Sequence, residues 1–160
     1  MKKILPALFC FVIIVSCENK EKANAVKYND AIVKEVDKAD SLIQVLFSFD
    51  MFSQFPLIGK EYSNLLEESK QNLQRITPIQ QDDTLRLTAL GLLDTYNEIV
   101  NKDCRGIYEI MIDSTYNIAD SIRVDSFMFE MYGKWQAQSK KIATQQQSFA
   151  QRHGITLEKK

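Results

Sequence analysis

Residues 23–49 read ANAVKYNDAIVKEVDKADSLIQVLFSF. Ile32, Val36, Ala39, Ile43 and Leu46 recur at steps of four and three, and Tyr28, Val33, Leu42 and Phe47 widen them into one broad apolar stripe. Most other positions are polar or charged, with Asp30 four residues before Lys34 in the order that supports a helix. Neither Gly nor Pro interrupts the run. At about 1.5 Å per residue it makes a rod of roughly 39 Å. A rod with one apolar face must bury that face against other elements, and the pattern elsewhere says that those elements are helices too.

Beyond Phe47 the chain changes character, with Phe49, Met51, Phe52, Phe55, Leu57 and Ile58 crowded around Pro56. Pro56 predicts a break in the helix and an extended Phe55. The helical period then returns three times. Ile58, Tyr62, Leu65, Leu66, Leu73 and Ile76 predict a second helix from about Lys60 to Ile76. Residues 77–81, TPIQQ, connect it to a third, which Asp82 or Asp83 is placed to cap. Leu85, Ala89, Leu92, Tyr96, Ile99, Ile107 and Ile110 carry that helix past Gly91 and Gly106 to about Ile112. The fourth begins between Tyr116 and Asp125, with Asp125 as a candidate cap for its main part. It carries Met128, Tyr132, Trp135, Ile142 and Phe149, and stops at Gly154. No window alternates with the period of a strand. The expected architecture is all-α, an antiparallel four-helix bundle of up-down-up-down topology over residues 25–154, with a tail over 155–160. Its main competitor is three long helices plus an irregular segment over 47–76.

The first sixteen residues belong to something else. Lys2 and Lys3 precede an apolar run from Ile4 to Val15, broken only by Pro6 and followed by the polar stretch ENKEK. The run falls short of the about 20 apolar residues that a membrane-spanning helix needs, and its layout is that of a removable export signal. Ile14-Val15-Ser16-Cys17 resembles the lipobox of bacterial lipoproteins: an aliphatic residue, a variable one, a small one, then cysteine. The resemblance implies that residues 1–16 are removed, that Cys17 carries the lipid, and that residues 17–24 are a tether. Its partner would be a membrane held through that lipid, and two or three acyl chains suffice for stable anchoring. The outer membrane is the favoured address. Glu18 and Glu21 alternate with Lys20 and Lys22, which dilutes any acidic sorting cue and leaves the face of the membrane open. Tyr28 to Val33 and Phe149 to Leu157 are also similar to the two ends of certain small helical envelope lipoproteins, and that similarity carries no catalytic motif.

Composition narrows the function classes. The 160-residue chain has 20 Lys and Arg against 21 Asp and Glu, and loss of Lys2 and Lys3 with the signal would move the balance from −1 to −3. A mixed, slightly acidic surface does not suit nucleic acid, which calls for a basic stripe. Of the three cysteines, Cys10 leaves with the signal and Cys17 takes the lipid, so Cys104 has no partner for an internal disulfide.

Catalytic patterns are sparse. His153 is the single histidine and sits at the expected end of the last helix, where solvent exposure is the default. It cannot supply the paired Glu-x-x-His motifs of di-iron bundles, and there is no Cys/His cluster for zinc. The carboxylates Asp113, Asp120 and Asp125 lack the spacing of a calcium loop. No catalytic residue, metal ligand or cofactor is therefore assigned. An enzymatic alternative would need Tyr28, Asp30, Asp94 and Tyr96 to share a cleft. Two aromatic groups offer recognition surfaces, against the more ordinary readings of a core lid over the bundle end and of a helix buried on two sides: Phe49, Phe52 and Phe55, and the pair Phe127 and Phe129. These five are the candidate contact surface, because aromatics are the residues that interfaces favour. The expected function is a membrane-anchored, non-enzymatic helical domain that binds a partner protein or serves the envelope. The alternative is a carrier that holds a small apolar ligand between the helices.

Overall fold

A computed structural model describes residues 11–47, 54–79 and 82–157. It is all-helical, with no strand among the described residues. The elements are α1 (Phe11–Leu46), α2 (Phe55–Arg75), α3 (Thr84–Glu98), a π-helical turn (Ile99–Cys104), α4 (Arg105–Met111) and α5 (Ile118–Arg152). α3, the π turn and α4 run on without a break, so they form one helical column where the sequence pattern predicts one helix.

Two helix starts and one cap differ from expectation, each for a local reason. α1 starts before residue 23, because Lys20 to Asn24 are good or tolerable helix formers that are all exposed and so print no apolar stripe. α2 starts at Phe55 rather than Lys60: Pro56 occupies the first turn, where a missing N–H costs nothing, so it opens the helix instead of breaking it. α5 starts at Ile118, within the expected interval, but Asn117 is its cap and Asp125 lies inside it. The Asn117 side chain accepts from the Ala119 N–H at 2.8 Å, and the Asp120 carboxylate accepts from the Asn117 N–H at 3.2 Å. At the other end Gly154 takes φ +62°, and the Ile155 N–H returns to the Ala150 carbonyl at 3.0 Å.

The core lies around α3 and its continuation. Leu85, Ala89, Leu92, Leu93, Tyr96, Ile99, Val100, Cys104 and Ile107 are all at most 1 % exposed. Ile32, Ala39, Ile43 and Leu46 reach them from α1, Leu66 and Leu73 from α2, and Met131 and Phe149 from α5. α3 packs closely against α1, α2 and α5, whereas α1 and α5 approach each other less closely and meet mainly through side chains. Cross-links between helices set their register. Lys38 on α1 meets Glu68 on α2 at 3.2 Å, and Lys70 on α2 meets Asp94 on α3 at 2.6 Å. Lys134 on α5 meets Asp103 in the π turn at 2.7 Å. Among the described residues no helix is long and apolar enough to cross a membrane.

Candidate functional site

The end of α1 and the middle of α5 build an aromatic corner. Phe47 from α1 meets Tyr132 and Trp135 from α5, with ring centroids 6.0 and 5.6 Å away and planes at 75° and 61°. Tyr132 and Trp135, one turn apart on α5, are themselves 5.4 Å apart. These rings, with Gln44, Met128 and Phe129, line an open cavity of about 750 Å³. Phe129 is 81 % exposed and Tyr132 47 %. α5 cannot hide six large apolar side chains within nine positions, because its core-facing stripe holds only Val124, Met131 and their turn-mates.

Directly behind the corner lies a polar hub. The Asp40 carboxylate accepts from the Tyr96 phenol and the Trp135 indole N–H, each at 2.7 Å, and from the Gln44 amide at 2.7 Å. Three helices are thus tied to one side chain. Burial raises the Tyr96 pKa, and the neighbouring Asp40 raises it further, so the phenol stays protonated and donates. The Ser139 hydroxyl is buried beside this hub without a well-aligned partner.

From the hub a groove follows the gap between α1 and α5. Its inner part, about 180 Å³, is floored by Ile32, Val36, Leu85, Leu92 and Ile142. Its outer part, about 810 Å³, runs past Asn29, Asp30 and Gln147 to the tail at Ile155, Thr156 and Leu157. The Gln146 amide donates to the Asn29 side-chain oxygen across it at 3.2 Å.

The opposite end of α1, away from the corner, is closed by charge. Asp83 accepts from Tyr28 at 3.2 Å and pairs with Arg86; Asp82 pairs with Arg152 at 2.8 Å and lies 3.4 Å from the His153 ring. Burial opposes ionisation of Asp82, but the bonds from Arg152, the Thr84 N–H and His153 outweigh it and hold the pKa low. The Arg86 bond does the same for Asp83. Burial, reinforced by Asp83, pushes the Tyr28 pKa up to about 12. Asp83 precedes α3 but makes no side-chain cap bond, since both its oxygens serve Tyr28 and Arg86. His153 is not the exposed helix end that its position suggests: its side chain is 11 % exposed and stacks on Phe149 at 4.3 Å.

The residues singled out from the sequence fall in different places. Phe55 is buried, 6.0 Å from Tyr108, with its ring folded over Gly59 so closely that a Cβ there would come within 2.8 Å; it packs inward. Phe127 is half-buried against Gly106, where a Cβ would stand 3.2 Å from the ring. Among the three of the five that are described, Phe129 alone is displayed. Phe49 and Phe52 lie outside the described residues, as does the side chain of Cys17. Tyr28, Asp30, Asp94 and Tyr96 do not converge: Tyr28 serves Asp83, Asp94 serves Lys70, Tyr96 serves Asp40, and Asp30 lines the groove. Cys104 is fully buried, and burial, with Asp103 next to it, raises its thiol to about 12, too high for a nucleophile. Asp103 is 1 % exposed, with one oxygen on Lys134 and the other unpartnered. Burial works against the Lys134 ammonium, yet its bonds to Asp103 and Glu98 outweigh that and raise its pKa. Among the described residues no cluster of His, Cys, Asp and Glu is placed to hold a metal ion. The site residues that sequence reasoning missed are Phe47, Tyr132 and Trp135 as one corner. Their signal was the pairing of an apolar residue at the end of the first helix with aromatics three apart in the last.

No protein-family model, curated protein or solved structure matches the chain.

Proposed function

We propose that the chain is a lipid-anchored, non-enzymatic binding domain whose recognition surface is the aromatic corner at the end of the bundle farthest from the anchor. In this reading Cys17 carries the lipid in the outer membrane, and residues 1–16 are its removed signal. The body is an up-down-up-down bundle, supported by the register of the cross-links: Lys38 with Glu68, Lys70 with Asp94, and Tyr28 and Asp40 on α1 with Phe149 and Trp135 in reverse order on α5. The observation that carries the binding role is Phe129, 81 % exposed beside the open cavity of Phe47, Tyr132 and Trp135. Apolar area of that kind is costly to leave in water and marks a contact surface. α1 is continuous from Phe11 to Leu46, and thirty residues from Cys17 to Phe47 set the corner about 45 Å along the rod from the anchor. The non-enzymatic part of the reading draws on where the polar groups are spent, on one another and mostly within single bonds.

A photo-crosslinking residue at Phe129 in native cells tests this. It should yield a discrete adduct that the same residue at exposed Glu67 does not, and equal labelling at the two positions would remove the reading. The groove between α1 and α5 favours a second reading, a carrier of a small apolar molecule, because its outer volume of about 810 Å³ lies within the range of ligand pockets. Native mass spectrometry of protein purified from the host separates the two, since a carrier retains a bound small molecule.

A further inference from the structure

The outer face of α5 carries an exposed seam with the spacing of a helix–helix contact. Val124 and Met131, buried and seven residues apart, fix the inward direction of the helix. Diametrically opposite them, Ala119, Ser126 and Gly133 recur at steps of seven, and Ile122, Phe129 and Gln136 follow each of them by three. All six are exposed, Ile122 by 63 % and Phe129 by 81 %. Two details suit burial of this face. The Ser126 hydroxyl donates to the Ile122 carbonyl of its own helix at 3.0 Å, so covering it strands no donor. Gly133 weakens the middle of the helix, and a Cβ there would meet nothing within 4 Å, so packing inside one chain gives no reason for it. A close approach by another helix does.

The alternation of small and large residues decides which helix fits. A second copy laid parallel would stack like on like, Gly133 on Gly133 and Phe129 on Phe129, and would set Asp125 beside Glu130. Laid antiparallel, the copy puts a larger residue over each small one: Ile122 over Gly133, Phe129 over Ser126 and Gln136 over Ala119. The same register sets Arg123 of each copy beside Glu130 of the other, and Asp125 beside the Tyr132 hydroxyl. Arg123 is available for this. Within one chain it reaches Asp120 at 3.1 Å with its side chain 63 % exposed, and an exposed pair of that kind is weak. We propose that the chain forms a two-fold dimer through antiparallel α5 helices, so that the occupant of the seam is a second copy. A seam of one helix on one helix falls at the small end of specific interfaces, about 1,200 Å² in total, so the pair forms best where membrane anchors concentrate the copies. Because α1 runs against α5, the two anchoring positions lie at opposite ends of the dimer, and both meet one membrane when the rods lie along it. The inference deepens the proposed binding role by naming the partner of the displayed face, and it rests on that reading for the anchor and for contact at Phe129.

The test uses the full chain in native cells, as two co-expressed copies with different epitope tags, each carrying benzoylphenylalanine in place of Phe129. Irradiation should give an adduct of twice the chain mass that bears both tags. Arg123→Glu and Glu130→Arg should each lower its yield about tenfold, because the two-fold axis makes the like-charge contact twice. The double variant Arg123→Glu/Glu130→Arg should restore it, which a loss of folding would not allow. Gly133→Leu fills the seat of Ile122 and should abolish the adduct, yet it has open space within one chain and should keep the far-ultraviolet spectrum of the parent. Absence of a doubly tagged adduct, a double variant no better than the single ones, or a Gly133→Leu variant that still crosslinks would each overturn the inference. If position 129 labels a different protein instead, the dimer is wrong and the contact surface stands. If it labels no more than position 67 does, both fall.

Discussion

Replacing Asp40 by alanine should be among the most damaging changes a half-buried position can suffer. The carboxylate is the shared acceptor for the Tyr96 phenol, whose residue is fully buried, and for the Trp135 indole N–H. Without it two donors lose their partner, at about 1–3 kcal/mol for each that water cannot reach. Trp135 is only partly buried and recovers part of its loss, so the sum is about 2–4 kcal/mol, against a total of about 5–15 kcal/mol for a domain of this kind. Asp40 is only partly buried, so its removal returns little desolvation energy to offset this. Asp40→Asn keeps one oxygen that accepts both donors, and Gln44 reverses its amide to match; its cost should be about 1 kcal/mol, the loss of charge assistance. In the Asp40→Ala background, Tyr96→Phe should recover part of the loss, because the stranded hydroxyl is gone. Urea unfolding followed by far-ultraviolet circular dichroism measures all four proteins, and avoids Trp135 fluorescence, which the substitution itself alters. An Asp40→Ala loss below about 0.5 kcal/mol, or an Asp40→Asn loss equal to it, would refute the assignment of the hub as a hydrogen-bond anchor.

Other expectations concern the two ends and the anchor. Asp82 and Asp83 are held below the usual carboxylate range, so the stability they contribute is complete above about pH 4, the unfolded value, and is lost as pH falls through their native values. An Arg86→Met/Arg152→Met variant should lose most of that acid dependence in pH-titrated unfolding. Gly154→Ala should destabilise by about 1–2 kcal/mol, because its φ of +62° is strained for any side chain. Gly133→Ala, in the exposed middle of α5 with open space around its Cβ position, should stabilise by about 0.5–1 kcal/mol in the same assay. Cys17→Ser should leave the membrane fraction in cell fractionation; its persistence there would mean that something else holds the protein.

Much of the architecture was legible in the spacing of apolar residues, because Ile32, Ala39, Ile43 and Leu46 can be buried together only on a helix, and all four are fully buried. What escaped were features decided by chemistry within a turn. Pro56 reads as a breaker, yet at the first turn of a helix it costs nothing. Asn117 and Asp120 stand in capping-box spacing and outcompete Asp125, which lies in the middle of a strong helical run. The π turn at Ile99–Cys104 leaves no mark in the pattern, since Tyr96, Ile99, Val100, Asp103, Cys104 and Ile107 still fall at steps of three and four. His153 looked exposed because position alone cannot show that Gly154 folds the chain back and seats the ring between Phe149 and Asp82. The candidate site was legible only as a surplus of aromatics in the last helix. That Phe47 completes the corner depends on how α1 sits beside α5, which the spacing within either helix does not show.

Membrane anchoring rests on the chemical state of the mature N-terminus. Mass spectrometry of the N-terminal peptide, recovered from membranes of the native host, should find Cys17 as the first residue and bearing acyl chains. A peptide that retains residues 1–16, or begins with an unmodified Cys17, would contradict it.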